Sequence, residues 1–338
     1  MIPFPRTCHP PQTKKTMKFT TQPQNLSPVD AGLVYAFDTE SDEPRDVQVS
    51  VIEYDSYETV GRLTLYGVTD GSFDIAPYVR PFMEMRPTME RGTALAEAQC
   101  YQFVVEIDGV QSRILTVSDN RVDVVAGSWL STMTEHRRIC HGGHDEIRLF
   151  CRPGETLDAS VVSDDGMTMN SILEPENGAA VLRIDTRDFP EDARTLEVRV
   201  VCSSRFVRSV YYSFARRYPD DMRLVWLSSV GTVERYTFPI VRSIARNTTR
   251  TAVVGADGSR RTVGCESEQC IRIVSDYERR SVIEALADIA RSPKVWVEGA
   301  LTFTEVEVLT TASTLYEYGR PCFIEIDLRI AGGKEAGL

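Results

Sequence analysis

Three of the chain's four histidines fall in one short stretch with two cysteines: His136, Cys140, His141, His144 and Cys151. Imidazole nitrogens and thiolates are the usual donors of a tetrahedral zinc site. The intervals match no common zinc module, and Gly142-Gly143 reads as a turn. The set can equally be a polar loop beside a strand at Glu146–Cys151. The expectation is no bound metal and no cofactor. Cys265 and Cys270 lie close together in a polar stretch ahead of a strand. A labile disulfide or metal site is one reading, and two ordinary thiols in a reducing compartment is the other. Walker loops, dinucleotide fingerprints, nucleophile elbows and zincin helices are all missing. The chain is therefore expected not to be an enzyme.

A second group of residues suits binding rather than catalysis. Arg208, Tyr211, Tyr212, Arg216, Arg217, Tyr218, Trp226, Arg235 and Tyr236 crowd together in sequence. Tyrosine, tryptophan and arginine dominate binding hot spots. On a strand every second side chain faces the core, so half of these aromatics are expected inside. For the arginines a solvated face is the alternative.

Charge is unevenly placed. Residues 1–204 hold 19 basic and 32 acidic side chains, whereas residues 205–338 hold 19 and 17. The window 205–261 alone has 11 arginines against 4 acids. Such a division would favour head-to-tail association of copies. Two solvated surfaces that merely differ would look the same. The net charge is −11 and no aromatic-plus-glycine RNA motif occurs, so a nucleic-acid partner is not expected.

The elements that must position these residues are mostly strands. Asp70-Gly71, Asp108-Gly109, Asp165-Gly166, Asn177-Gly178 and Asp257-Gly258 each sit between strand-like runs. Asx-Gly tolerates the positive φ that a type I′ hairpin turn demands. Short strands at regular spacing predict antiparallel β-sandwiches of the Ig/fibronectin kind. The expected division is a loose segment 1–30, sandwich modules 31–118 and 119–204, a β-rich module 205–331, and a loose tail 332–338. Residues 84–99 are expected as a loop or short helix of the first module. In the last module a helix is expected over 275–292, with Ser275 and Glu278 as a capping box and Pro293 as the stop. Its single apolar stripe should lie across a sheet. Cys322, Ile324, Ile326, Leu328 and Ile330 form one face of the final strand. No apolar run reaches the ~18 residues of a membrane span, and no secretory signal is evident, so a cytoplasmic origin is expected. Met17 is an alternative start.

Residues 223–238, a leucine-x-tryptophan-leucine, glycine, aromatic-x-phenylalanine hairpin, resemble a segment of phage and prophage structural proteins of gut Bacteroidales. The stretches 273–278 and 292–296 are similar too, so the resemblance covers roughly residues 205–331. Its motifs are structural, and no functional residue carries over. It implies a tail- or baseplate-associated part, made in the cytoplasm and then virion-associated. Its partners would be further copies and other proteins of the particle. A glycan- or surface-binding sandwich protein is the alternative, and a metal-dependent enzyme at the His/Cys set is the third reading.

Overall fold

Val47, Val49 and Val51 alternate with more exposed neighbours along one strand, and all three are buried. That period of two governs most of this chain. The computed structural model describes residues 17–83, 86–203, 205–254, 256–316, 320 and 322–331. The protein is mainly β and divides into two compact units, residues 1–84 with 101–118, and residues 85–100 with 119–338.

The first unit begins with β1 (Lys18–Thr21), β2 (Val34–Asp38), β3 (Arg45–Glu53), β4 (Thr59–Val68), β5 (Asp70–Asp74) and the one-turn helix α1 (Ala76–Val79). Strand β6 (Ala94–Glu97) belongs to the second unit, and β7 (Tyr101–Ile107), β8 (Val110–Gln111) and β9 (Leu115–Val117) complete the first. Sheet β1-β2-β5 faces sheet β4-β3-β7-β8, with β9 added on β7. The two share a core that includes Tyr35, Phe37, Val49, Phe103 and Ile107. Asp108 and Gly109 take φ of 47° and 85° between β7 and β8, as a type I′ turn requires.

Two expectations are corrected here. Asp70-Gly71 is not a turn: it opens β5, where the chain passes from one sheet to the other. Residues 17–30 are not a loose segment, because β1 pairs with β2 and Met17, Leu26 and Val29 are buried. Their polar surroundings hid three apolar anchors. The first sixteen residues and the tail 332–338 lie outside the described residues.

In the second unit come β10 (Ser128–Leu130), β11 (His136–Cys140), β12 (His144–Phe150), β13 (Leu157–Ser163), β14 (Thr168–Leu173), β15 (Ala179–Asp185), β16 (Thr195–Cys202) and β17 (Arg205–Ala215). Sheet β10-β12-β15-β6 packs on sheet β11-β17-β16-β13-β14 through a core that includes Ile147, Leu182, Val198 and Val210. Pairing is antiparallel except between β11 and β17, which run parallel with His136 opposite Tyr211. This sandwich crosses both expected boundaries. Strand β6 pairs with β15, so part of the expected loop 84–99 is strand. Strand β17 pairs with β16, so Arg205 does not begin a new sheet.

The remaining elements are β18 (Met222–Leu227), β19 (Val233–Phe238), β20 (Ile240–Val254), β21 (Arg260–Val274), α2 (Arg280–Leu286), β22 (Val295–Glu298), β23 (Phe303–Val308) and β24 (Glu325–Ala331). They build one sheet in the order β19-β18-β22-β23-β24-β21-β20. Val282, Ile283 and Leu286 of α2 pack with Leu224, Trp226, Ile273, Ile326 and Leu328 of that sheet. The helix is shorter than expected, since a 3-10 segment, Ala287–Arg291, follows it. Ser275 and Glu278 form no capping box. The Ser275 hydroxyl accepts the Ile324 N–H at 3.0 Å, and Glu278 accepts the Tyr236 hydroxyl at 2.9 Å. Both residues tie the lead-in of the helix to flanking strands. The fold is thus mainly β: a pair of largely antiparallel β-sandwiches followed by an α+β part with a helix on a sheet.

Candidate functional site

Four of the nine expected interface residues are interior. Tyr212, Trp226, Arg235 and Tyr236 are at most 5% exposed, which removes them from any surface. Arg235 and Tyr236 are consecutive in β19 and point to opposite faces, both of which are covered, and Tyr212 and Arg235 reach partners inside the unit. The Tyr212 hydroxyl donates to Asp145 Oδ2 at 2.7 Å, and Arg235 pairs with Glu146 at 3.2 Å. Burial first, and then Glu278, push the Tyr236 hydroxyl well above the ordinary tyrosine range.

Tyr212 belongs to a buried polar seam inside the second unit. Arg137 of β11 donates to Asp145 Oδ2 at 2.7 Å and to Ser131 Oγ at 2.6 Å, with Glu234 of β19 at 3.8 Å. Burial opposes the charge on Arg137, but the anionic and phenolic oxygens around it outweigh burial and raise its pKa. Burial likewise acts to raise the Asp145 carboxyl. Arg137 and the Tyr212 hydroxyl overcome that and hold it below the usual range. For Glu234 burial wins over Arg137, and its carboxyl is pushed up. A seam of this kind fixes how the sandwich strands meet the third sheet, because a buried charge without its partner is very costly. Sequence reasoning missed it. Its only signal is charged residues inside otherwise apolar strands.

The other five candidates lie on the outside. Tyr211 is exposed and stacks on His136, with ring centroids 5.2 Å apart. Arg208 pairs with Glu135 at 2.7 Å and lies over the Trp129 ring at 5.1 Å. Arg216 lies over Tyr218, and Arg217 approaches Asp221 at 3.8 Å. An open groove of about 610 Å³ runs past His136, Arg138, Glu197 and Tyr211 to Glu278 and Arg279 at the start of α2. The parallel β11–β17 pairing creates it by setting His136 beside Tyr211.

The His/Cys set is dispersed. His136 stacks outside, and His141 stacks on Phe214 at 4.4 Å. Cys140 and Cys151 are buried, with their thiols directed to the carbonyls of Arg216 and Glu155. His144 is buried 3.4 Å from Glu298, where burial first and then Arg235, Arg223 and Arg91 bring its pKa down to about 2. Among the described residues no group of three or more His, Cys, Asp or Glu side chains could hold a metal. Cys265 and Cys270 are both free thiols on β21.

One long exposed feature is not announced by the strand patterns. Strand β24 pairs with β21 only between Val274 and Glu268. From there outward β20 and β21 continue as a two-stranded arm, Asn247–Val254 against Arg260–Glu268. At about 3.3 Å per residue the arm extends roughly 25 Å. Val254 and Val263 are 66% and 55% exposed along it, and Ile244 at its base is 61% exposed. With neither face buried, no apolar alternation marks these strands. The Asp257-Gly258 turn and the excess of arginine were the only signals.

No protein-family model matches the chain, and no curated protein matches it. Solved structures resemble it at a distance. The D1–D4 ectodomain fragment of ICAM-5 is 9% identical over 75% of this chain and 75% of that one, with a TM-score of 0.21. Chicken CNTN1 FN1–FN3 domains are 8% identical over 86% and 94%, with a TM-score of 0.21. CBD12 from CALX1.2 is 12% identical over 55% and 79%, with a TM-score of 0.18. Identities and scores this low carry no argument about function.

Proposed function

We propose that this chain is a non-enzymatic structural protein of a phage-like particle, of the tail or baseplate, which docks its β20–β21 arm on a neighbouring chain. The arm is the observation that carries the docking. An isolated two-stranded ribbon is marginal in water, and a long uncovered edge strand is a template for pairing. Burial pattern along β20 is exposed at nearly every position, and β20 is the last strand of its sheet. A neighbour that covers the arm supplies the packing it lacks. The particle is supported by the resemblance of residues 205–331, and on that reading the chain is made in the cytoplasm and becomes virion-associated.

Light scattering after size exclusion, over a concentration series and with negative-stain images, tests this. The intact chain should form closed oligomers, rings or tubes. A chain with residues 247–268 replaced by a short turn should be monomeric. An intact chain that stays monomeric throughout would remove self-association and bring forward a second reading, a glycan- or surface-binding sandwich. The observation favouring that reading is the exposed Tyr211–His136 stack in its groove, since aromatic rings with polar tips suit such ligands. Glycan-array binding that disappears in Tyr211→Ala would establish it.

A further inference from the structure

Arginines at the base of the arm are paired: Arg242 with Glu325, Arg272 with Asp327 at 2.7 Å, and Arg329 with Glu307 and Glu268. Arginines farther out are not. Among the described residues Arg246, the last residue before the arm, and Arg250, Arg260 and Arg261 on it form no ion pair, although each lies on an exposed strand. The register then sorts the two faces of the arm. On one face lie Ile244 with Ile271, Arg246 with Gln269, Thr248 with Ser267, and Arg250 with Cys265, and this face has no carboxylate. The opposite face carries Asn247 with Glu268 and Thr249 with Glu266. The basic face is continuous with the core side of the sheet, because Ile271 at its base is buried. It is a core face that has run past its own core.

The first unit shows the complementary imbalance. Its residues 17–83 and 101–118 hold 13 acidic and 5 basic side chains. Asp38, Glu40, Asp42, Glu43 and Asp46 are all exposed, and none has a cationic partner among the described residues. Arg45, the nearest base in sequence, is engaged by Asp108 at 3.1 Å. Asp38 of β2 also stands directly opposite Asp70 of β5. Like charges facing across a strand pair are destabilising, so this pairing costs the isolated chain stability. Strand β5 is an edge of its sheet, which leaves that corner open to a further strand.

We propose that the basic face of the arm docks on the acidic β2–β5 corner of a second copy of this chain, in head-to-tail fashion. The inference rests on the arm being a docking element, as argued above, and adds what it docks on. Unpaired guanidinium groups on one surface meet unpaired carboxylates on the other. The apolar residues of the arm are covered, and the Asp38–Asp70 repulsion is relieved. Head-to-tail contacts of this kind close into rings or continue as filaments.

Two charge-reversed chains test it, one with Arg246→Glu and Arg250→Glu, the other with Asp38→Lys and Asp70→Lys. All four positions are exposed, so both chains should keep the circular dichroism of the parent. Each alone should associate at least roughly 30-fold more weakly than the parent, because like charges then face each other. An equimolar mixture should regain association, since the acidic arm of one matches the basic corner of the other. If the arm variant loses association while the corner variant keeps it, the arm docks elsewhere. The inference then fails and the docking reading stands. If both variants associate like the parent, both fail. Loss in each alone without recovery in the mixture would also overturn the pairing. So would an arm that leaves the parent monomeric while it binds a labelled DNA duplex through Arg246 and Arg250.

Discussion

Asp145→Ala is the sharpest probe of the buried seam. The substitution removes the carboxylate that accepts both Arg137 and the Tyr212 hydroxyl, each at 2.7 Å. It leaves a buried guanidinium with Ser131 Oγ, the Thr134 carbonyl at 3.2 Å, and Glu234 at 3.8 Å. Breaking a buried pair by removing one partner costs about 3–5 kcal/mol, mostly for the charge left behind. Glu234 remains 3.8 Å from that charge, so a loss nearer ~3 kcal/mol is expected. For a unit of this size each kcal/mol moves the midpoint by ~2–4 °C, which gives a fall of roughly 6–12 °C. Differential scanning calorimetry on the transition of the second unit measures it. Arg137→Met with Asp145→Leu removes both charges and should be at least ~2 kcal/mol more stable than Asp145→Ala alone, since no uncompensated ion remains. A single variant within ~1 kcal/mol of the parent would refute the reasoning, as would a double variant worse than the single one.

Other outcomes follow from the same geometry. His144 has its folded pKa depressed to about 2, so the unfolded chain binds the extra proton below its own pKa near 6.5 and stability falls with acid. His144→Gln should flatten that slope, about 1 kcal/mol per pH unit between pH 6 and 4, in urea melts at several pH values. Trp226→Ala should cost about 3–5 kcal/mol by thermal melting, whereas Tyr218→Ala, from the same expected interface, should stay within ~0.5 kcal/mol. Gly231 turns β18 into β19 at φ +88°, and a Cβ there would overlap the Asp119 carbonyl oxygen. Gly231→Ala should therefore lose more than ~2 kcal/mol in urea midpoint analysis.

Much was legible in the chain because a half-buried strand writes its burial as a period of two. The β7–β8 turn at Asp108-Gly109, the hairpin β18–β19, and Ile326 and Leu328 on the buried face of the last strand could all be read from local pattern. The predominantly β class came from the same source. Local pattern cannot say which strands pair across long separations. Only the tertiary structure joined β6 to β15 and β11 to β17, and so moved two module boundaries. Nor does residue type fix depth. Tyr212 and Tyr211 are neighbours of one kind, yet the first is bonded to Asp145 in the interior and the second is stacked on His136 outside. The arm lay beyond sequence reading for the converse reason: a strand that buries neither face has no periodicity to show. Sequence by itself determined strand class, turn chemistry and the basic composition of residues 205–261. Tertiary structure decided which charges are sealed in pairs and which arginines stand uncovered, because both depend on neighbours distant in the chain.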